Sequence, residues 1–363
     1  MRIAIFGLSI SSSWGNGHAT TYRALVRELC ARGEAVTFFE RDVEWYAQNR
    51  DLPAPPYGRT VLYASLPELQ DRFASEVRQA DLVMIGSYVP EGAELGRWVT
   101  RVARGVTAFY DIDTPVTLAR LAAGDVDYLS RALVPRFDLY LSFTGGPTLG
   151  RIERQFGART ARPLYCSVDP ELYYPEARPR NLDLGYMGTY SEDRQRGLDR
   201  LLLEPARRMP AHRFAVAGPQ YPNAIEWPGN VRRIEHLAPQ RHRAFYNDQR
   251  FTLNVTRAAM VDAGYSPSVR LFEAAACATP IISDPWNGLE SFFRIGEELL
   301  VSRCANDTRR YLAELSASER EALGQRARRR VLCAHTARHR ARELVGYVAE
   351  VRGHSPPAPE HEP

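Results

Sequence analysis

Short apolar runs recur along the chain, and longer stretches with helical spacing separate them. In the first half, residues 3–6, 35–39, 82–85, 106–110 and 139–143 predict strands, and residues 18–32, 66–80 and 114–122 predict helices. Runs that stay apolar throughout, instead of alternating, belong to strands covered on both faces. Strands separated by helices pair in parallel, because a parallel crossover needs a dozen or more residues. The pattern then starts again, with strands predicted at 182–187, 214–217, 251–255, 281–283 and 299–301. Two similar α/β halves result, each expected to be a doubly wound, Rossmann-like parallel sheet.

Between the halves, the segment from Cys166 to Arg180 carries Pro170, Pro175 and Pro179 and lacks apolar periodicity, as a linker or hinge does. The expected organisation is an N-terminal domain over 1–168, a second domain over 169–330 and a C-terminal helix over 331–352. That helix ends a long Arg-rich helical stretch that begins near Ser316 and runs to about Val351. Residues 353–363, polar and Pro-rich, predict a disordered tail.

Residues 264–284, GYSPSVRLFEAAACATPIISD, read as a helix N-terminus followed by a buried strand. Ser266 suits the N-cap and Pro267 the first helical position, and the helical pattern runs over 269–277 until Pro280 stops it. The amides of 266–268 then point outward, and such an end favours an anion such as a diphosphate. Arg270 and Glu273 lie three apart and share one helix face, offering a cation for phosphate and a carboxylate for hydroxyl groups.

With 363 residues, 44% of them hydrophobic, the chain is large enough for two domains. A net charge of +4 and the lack of a cationic run interleaved with aromatics argue against nucleic acid as the main partner. All 47 basic residues are arginine. The absence of lysine excludes Schiff-base chemistry, lysine-anchored pyridoxal phosphate and a P-loop, whereas the planar arginine fork suits phosphate. Five cysteines (Cys30, Cys166, Cys277, Cys304, Cys333) are scattered and show no C-x-x-C spacing. They predict neither a disulfide framework nor a zinc site, and they fit a reducing cytoplasm. Residues 1–7 lead straight into a polar loop and read as a strand rather than a signal segment, and no apolar run is long enough to cross a bilayer. A soluble, cytoplasmic protein is expected.

Open α/β sheets bind ligands beyond the carboxyl ends of their strands. Gly188, Thr189 and Tyr190, then Arg194, lie beyond one predicted strand; Gly218 and Arg257 follow two others. In the first half, Trp14-Gly15-Asn16-Gly17-His18 follows the first strand. His18 is a candidate general base or hydrogen-bond donor, and Asn16 and Gly17 let the backbone approach a ligand or simply make a turn. Asp111-Ile112-Asp113 spells D-x-D, which holds a metal and a diphosphate in some transferases and here also reads as a strand end leading into an N-cap. His335 and His339 are four apart on the last helix but lack the Glu of H-E-x-x-H, and they read as a solvated helix face. Gly15-x-Gly17-x-x-Thr20 with Glu40 after the second strand raises a dinucleotide-dependent oxidoreductase, from which the third glycine is missing.

Val168-Asp169-Pro170-Glu171-Leu172-Tyr173-Tyr174-Pro175 resembles the VD-x-x-x-F-x-P signature at the interdomain linker of GT-B glycosyltransferases, and residues 271–282, LFEAAACATPII, resemble their LLEAMACGTPVI stretch. More narrowly, FYDIDTPVT (109–117), LSFTGGPTL (141–149), GYMGTYSEDR (185–194), TLNVTR (252–257) and LCAHTARHR (332–340) are similar to CgeB-like, spore-maturation-type glycosyltransferases. The resemblance implies a GT-B fold of two Rossmann-like domains facing a cleft. It also implies metal-independent transfer of a sugar from a nucleotide-diphosphate sugar to a hydroxyl acceptor, with no other cofactor. His18, Asp111 and Asp113 are then the catalytic candidates. Asn16, Gly17, Gly188, Thr189, Tyr190, Arg194, Gly218, Arg257, Tyr265, Ser266, Pro267, Ser268, Arg270 and Glu273 form the expected donor site, with Glu273 on the ribose. Related retaining enzymes carry a second Glu eight residues earlier, where this chain has Tyr265, so the sugar and the stereochemistry stay open. The resemblance also implies that the last helix crosses back to the first domain. A nucleotide-sugar epimerase and a non-catalytic sugar-nucleotide-binding protein are the alternatives on the same fold.

Overall fold

The computed structural model describes residues 1–14, 17–124 and 127–353. The chain divides into two compact units, one formed by Met1–Cys166 together with the segment from Ala337 on, the other by Ser167–Thr336. Each is built around one all-parallel sheet.

The first sheet contains β1 (Arg2–Gly7), β2 (Ala35–Arg41), β3 (Arg59–Tyr63), β4 (Leu82–Gly86), β5 (Val106–Asp111), β6 (Leu139–Ser142) and β7 (Ala161–Pro163), in the order β3-β2-β1-β4-β5-β6-β7. Registry is set by pairings such as Ile3 with Val36 on one side and with Leu82 on the other. Alternate residues of the central strands face opposite cores, as the period of two requires. Phe6, Phe39, Val83, Ile85 and Phe109 pack beneath the helices Leu66–Gln79 and Gly92–Val102. Ile3, Ile5, Phe38, Leu82 and Met84 pack beneath His18–Ala31 and the C-terminal helix Ala337–Val351. That last helix contributes Ala341, Leu344 and Val348, all fully buried, and Tyr347 donates to the Pro163 carbonyl (3.1 Å). Burying each such Leu or Val stabilises the unit by roughly 1.5–3 kcal/mol.

The second sheet contains β8 (Leu182–Met187), β9 (Phe214–Ala217), β10 (Val231–Ile234), β11 (Gln249–Asn254), β12 (Ile281–Ser283) and β13 (Leu300–Val301), in the order β10-β9-β8-β11-β12-β13. In both sheets the winding reverses direction at one place, between β1 and β4 and between β8 and β11. Such switch points leave a crevice beyond the strand ends where ligands bind.

The structure departs from the sequence expectation in several places, and the helices Gly92–Val102 and Pro147–Phe156 are among the elements not anticipated. Strands β3, β7 and β10 were not anticipated, and all three are edge strands. The long C-terminal helix is two helices, Ala317–Ala334, opened by a Ser316–Glu319 capping box, and Ala337–Val351. Between them Thr336 pairs with Val168 in a short parallel bridge, and the Val168 amide donates to the His335 carbonyl (3.1 Å). The second unit therefore ends at Thr336, not at 330. His335 is buried with its ring stacked on Phe272 (4.9 Å between centroids), which corrects the solvated-face reading and removes it from the helix that carries His339. The segment expected as a linker is held to the second unit, with Tyr173 buried and the Glu176 amide donating to Asn247 Oδ1 (2.8 Å). Of the predicted tail, residues 354–363 lie outside the described residues.

Candidate functional site

In the second unit, the turns after β8 and β9 nest against each other. The Gly188 amide donates to the Ala217 carbonyl (2.8 Å), the Tyr190 amide to that of Pro219 (3.0 Å), and Tyr221 Oη to that of Gly188 (3.1 Å). Gly218 adopts φ +143°, and a Cβ there would collide with the Gly188 carbonyl, so this crossing requires glycine. Tyr190 and Tyr221 stack edge to face (5.5 Å). Arg233, which the sequence did not flag, lies over Tyr221 (4.2 Å) and Trp227 (4.5 Å) and donates to the Gly218 carbonyl (3.0 Å).

Into this corner the helix Val269–Ala276 sends Arg270, only 8% exposed. Its Nε donates to the Met187 carbonyl (2.6 Å), Nη1 donates to Asn254 Oδ1 (2.6 Å), and the guanidinium lies over the Tyr186 ring (4.8 Å). A Cβ on Gly188 would sit 3.0 Å from Arg270 Nη2, so the guanidinium fills the space beside that glycine. Asn254 is itself oriented by its neighbours, its Nδ2 donating to Ser283 Oγ (3.0 Å) and Thr256 Oγ1 (3.1 Å). Asp284 accepts from the Thr256 amide (3.0 Å) and hydroxyl (2.9 Å), and burial raises its pKa.

Arg194, in the helix Glu192–Leu198 after β8, and Arg257, at the N-cap position of the helix Ala258–Ala263 after β11, approach from either side of the switch point. Arg194 Nη2 donates to the Thr189 carbonyl (2.5 Å), while its Nε is buried without an acceptor. Burial lowers the pKa of Arg194, and the charges of Arg270 and Arg257 lower it further. Arg194 is therefore near enough to Arg270 and Arg257 to be repelled by both, a repulsion that a bound anion would offset.

Several expected contacts differ. The helix N-cap is Ser268, not Ser266, so Pro267 precedes the helix. Ser268 makes no side-chain cap and donates instead to Asn254 Oδ1 (3.0 Å); Ser266 donates to Met260 Sδ (3.1 Å). Glu273 is 4% exposed and accepts from Tyr246 Oη (2.8 Å), and burial, then the charge of Glu273, raises the pKa of Tyr173. Tyr265, at φ +47°, donates its amide to the Asn287 carbonyl (2.6 Å) and packs its ring flat on Gly288, whose φ of +90° admits only glycine comfortably. Tyr265 thus pins two loops together, and its ring fills the space a Cβ on residue 288 would need.

The first unit's switch point has another composition. His18 opens the helix His18–Ala31, is half-buried, and lies 5.5 Å from the Tyr88 ring. Burial pushes its pKa down to about 4, so the imidazole is neutral at pH 7. Tyr88 Oη donates to Asp113 Oδ2 (3.0 Å), which links the loops after β4 and β5. Asp111 behaves differently. It is fully buried, accepts from Tyr140 Oη (2.6 Å) and Thr117 Oγ1 (2.7 Å), and burial raises its pKa to about 6. A carboxylate enclosed in this way does not meet an acceptor, so Asp111 is a core residue and, of the two, Asp113 keeps the catalytic candidacy; β5 ends at Asp111, and Asp113 stands in the turn at the N-cap position of the helix Thr114–Ala123. A Cβ on Gly17 would meet nothing within 4 Å, and Asn16 lies outside the described residues. Glu40, the residue behind the oxidoreductase alternative, is buried and accepts from the Ile10 (2.7 Å) and Ser11 (2.9 Å) amides and the Ser11 hydroxyl (2.5 Å). It holds the β1 loop in place of a ribose. Among the described residues no group of three or more His, Cys, Asp and Glu is arranged to hold a metal ion.

Solved structures decide the architecture. Sucrose-phosphate synthase from Thermosynechococcus elongatus superposes with a TM-score of 0.69 at 16% identity, over 97% of this chain and 99% of that one. Anabaena Alr3699/HepE, in complex with UDP and glucose, gives 0.69 at 12% identity over 96% and 100%. An α-glucosyltransferase (AGT) in complex with UDP gives 0.69 at 13% identity over 96% and 100%. The fold is GT-B. Residues 194–346 match a family described as glycosyl transferase-like, a span that begins at Arg194 and includes Arg257, Arg270 and Glu273. No curated protein matches the sequence. No helix among the described residues is long and apolar enough to cross a membrane.

The sequence left Asn254, Asp284, Tyr88 and Arg233 unassigned. Asn254 and Asp284 carried one legible signal, a polar residue ending a buried strand. The other two did not, because an aromatic or an arginine in a loop has no distinguishing local pattern.

Proposed function

We propose that the chain is a metal-independent glycosyltransferase that moves a sugar from a nucleotide-diphosphate sugar to a hydroxyl acceptor. The observation that carries this is the convergence of Arg194, Arg257 and Arg270 at the second sheet's switch point, with one buried Nε lacking an acceptor. A leaving diphosphate brings the charge these residues lack, and donors fixed in advance stabilise charge that grows in the transition state. Arginine thereby takes the part a divalent cation plays elsewhere. Neutral His18 serves as the base for the acceptor hydroxyl, and Asp113 with Tyr88 orients it. The Alr3699/HepE and AGT complexes with UDP support a uridine nucleotide as the donor's leaving group. The narrower CgeB-like assignment rests on the sequence motifs. Five free cysteines support residence in a reducing cytoplasm.

Thermal denaturation with UDP, GDP, ADP, dTDP and NAD tests the proposal, since a ligand bound only by the folded state raises the midpoint by mass action. A nucleoside diphosphate is expected to stabilise and NAD is not; stabilisation by NAD alone refutes the reading. With a nucleotide-sugar panel, nucleotide release that grows with acceptor marks transfer, isomerised donor marks an epimerase, and binding without turnover marks a binding protein.

A further inference from the structure

Trp14 and Trp45 are 44% and 63% exposed, an unusual state for indoles at the carboxyl edge of a sheet where ligands gather. Trp14 stands on the loop after β1 and Trp45 in the short helix Glu44–Ala47 after the neighbouring strand β2, and a short hydrogen-bonded path joins them. The Trp14 amide donates to Ser12 Oγ (3.3 Å), Ser12 Oγ donates to the Asn49 carbonyl (2.7 Å), and Asn49 Nδ2 donates to the Trp45 carbonyl (2.9 Å). Glu40 fixes Ile10 and Ser11 from below, and Asp51 fixes Ser13 through its amide (2.7 Å) and hydroxyl (2.9 Å). The loops are held before any ligand arrives, which lowers the entropic cost of binding.

The charges around the two indoles are closed off. Arg23 makes a two-pronged contact with Asp51 (2.9 Å each), and Arg50 pairs with Asp42 (2.6 Å). Glu44, beside Trp45, is exposed and accepts from Gln48 Nε2 (3.0 Å). Among the described residues of these segments no cation is left over for an anionic ligand, and the exposed Glu44 carboxylate disfavours one. What remains is two exposed indoles with hydroxyl, amide and carboxylate groups on the same segments. That combination matches a pyranose, whose C–H face lies on an indole while its hydroxyls reach the polar groups.

We propose that the acceptor is an uncharged carbohydrate, held by Trp14 and Trp45 on the same edge as His18. The proposal names the acceptor class of the transferase described above and rests on that reading. Full-length protein and the variants Trp14→Ala and Trp45→Ala are applied to a glycan array that carries neutral oligosaccharides beside sialylated and phosphorylated ones. In parallel, UDP stabilisation is measured for all three. Retention on neutral glycans, reduced at least tenfold in either variant while UDP stabilises all three equally, is the expected result. Retention on acidic glycans alone, equal retention by the variants, or no retention overturns the proposal. Failure of UDP to stabilise the parent protein refutes the donor reading instead and leaves the array to decide the carbohydrate platform by itself. Both tryptophans are exposed, so their truncation leaves folding intact, which the same melts report.

Discussion

The two switch points are built on the same winding of parallel strands, yet they carry opposite chemistry. Beyond β8 and β11 the segments that follow bring Arg194, Arg257 and Arg270 together, with aromatic rings and backbone carbonyls as their supports. Beyond β1, β4 and β5 the edge presents a neutral imidazole, a tyrosine and a half-buried carboxylate. The scaffold dictates where a ligand sits, and the few residues after each strand dictate which ligand. An anion suits the second crevice and a hydroxyl-bearing neutral molecule the first.

The largest test of this contrast is Arg270→Ala. It removes the guanidinium that Met187 and Asn254 hold, and UDP affinity by calorimetry is expected to fall about 100-fold, or about 2.7 kcal/mol. An unchanged affinity would take the arginine corner out of nucleotide binding. Glu273→Ala comes next. It strips the acceptor from the buried Tyr246 phenol, so unfolding in urea is expected to show a loss of about 2 kcal/mol, with UDP affinity changed less than threefold. A larger fall in affinity than in stability restores the ribose role. Arg194→Gln is expected to weaken UDP about tenfold while stability holds or rises, because a buried cation repelled by two others is removed.

The smallest effects at neutral pH lie in the first unit, and acid brings them out with opposite signs. His18 has a folded pKa of about 4, below its unfolded value near 6.5, so the unfolded chain binds the extra proton and stability falls as pH drops across that window. Asp111 has a folded pKa of about 6, above its unfolded value near 3.8, so the folded chain binds the proton and stability rises as pH drops from 6. Urea midpoints at pH 4.5 and 7 separate them: acidification is expected to cost His18→Gln less than the parent protein and Asp111→Asn more.

Central strands such as β1, β4 and β5 were legible because burial on both faces demands an unbroken apolar run. The edge strands β3 and β10 were not: RTVLY and VRRI meet solvent along one side, and arginines interrupt them. Arg270 was legible from its place near a helix start, although Ser268 rather than Ser266 occupies the N-cap position, without a side-chain cap. Asp111 and Asp113 were indistinguishable in sequence, since only the exact end of β5 separates the enclosed carboxylate from the half-buried one in the turn beyond it. Glu40 misled for a related reason, as its position after β2 is the same whether it meets a ribose or the amides of its own β1 loop.

The helix Ala337–Val351 closes a core whose strands were made long before it. During synthesis the second unit, an uninterrupted segment, is complete before Leu344 and Val348 leave the ribosome. At about 5–20 residues per second the first unit waits on the order of 10–30 s with the Ile3, Ile5 and Phe38 face uncovered. The nascent first sheet is therefore a natural client for chaperones, and a chain cut short before Ala337 has a complete second unit and a first unit that lacks its last helix.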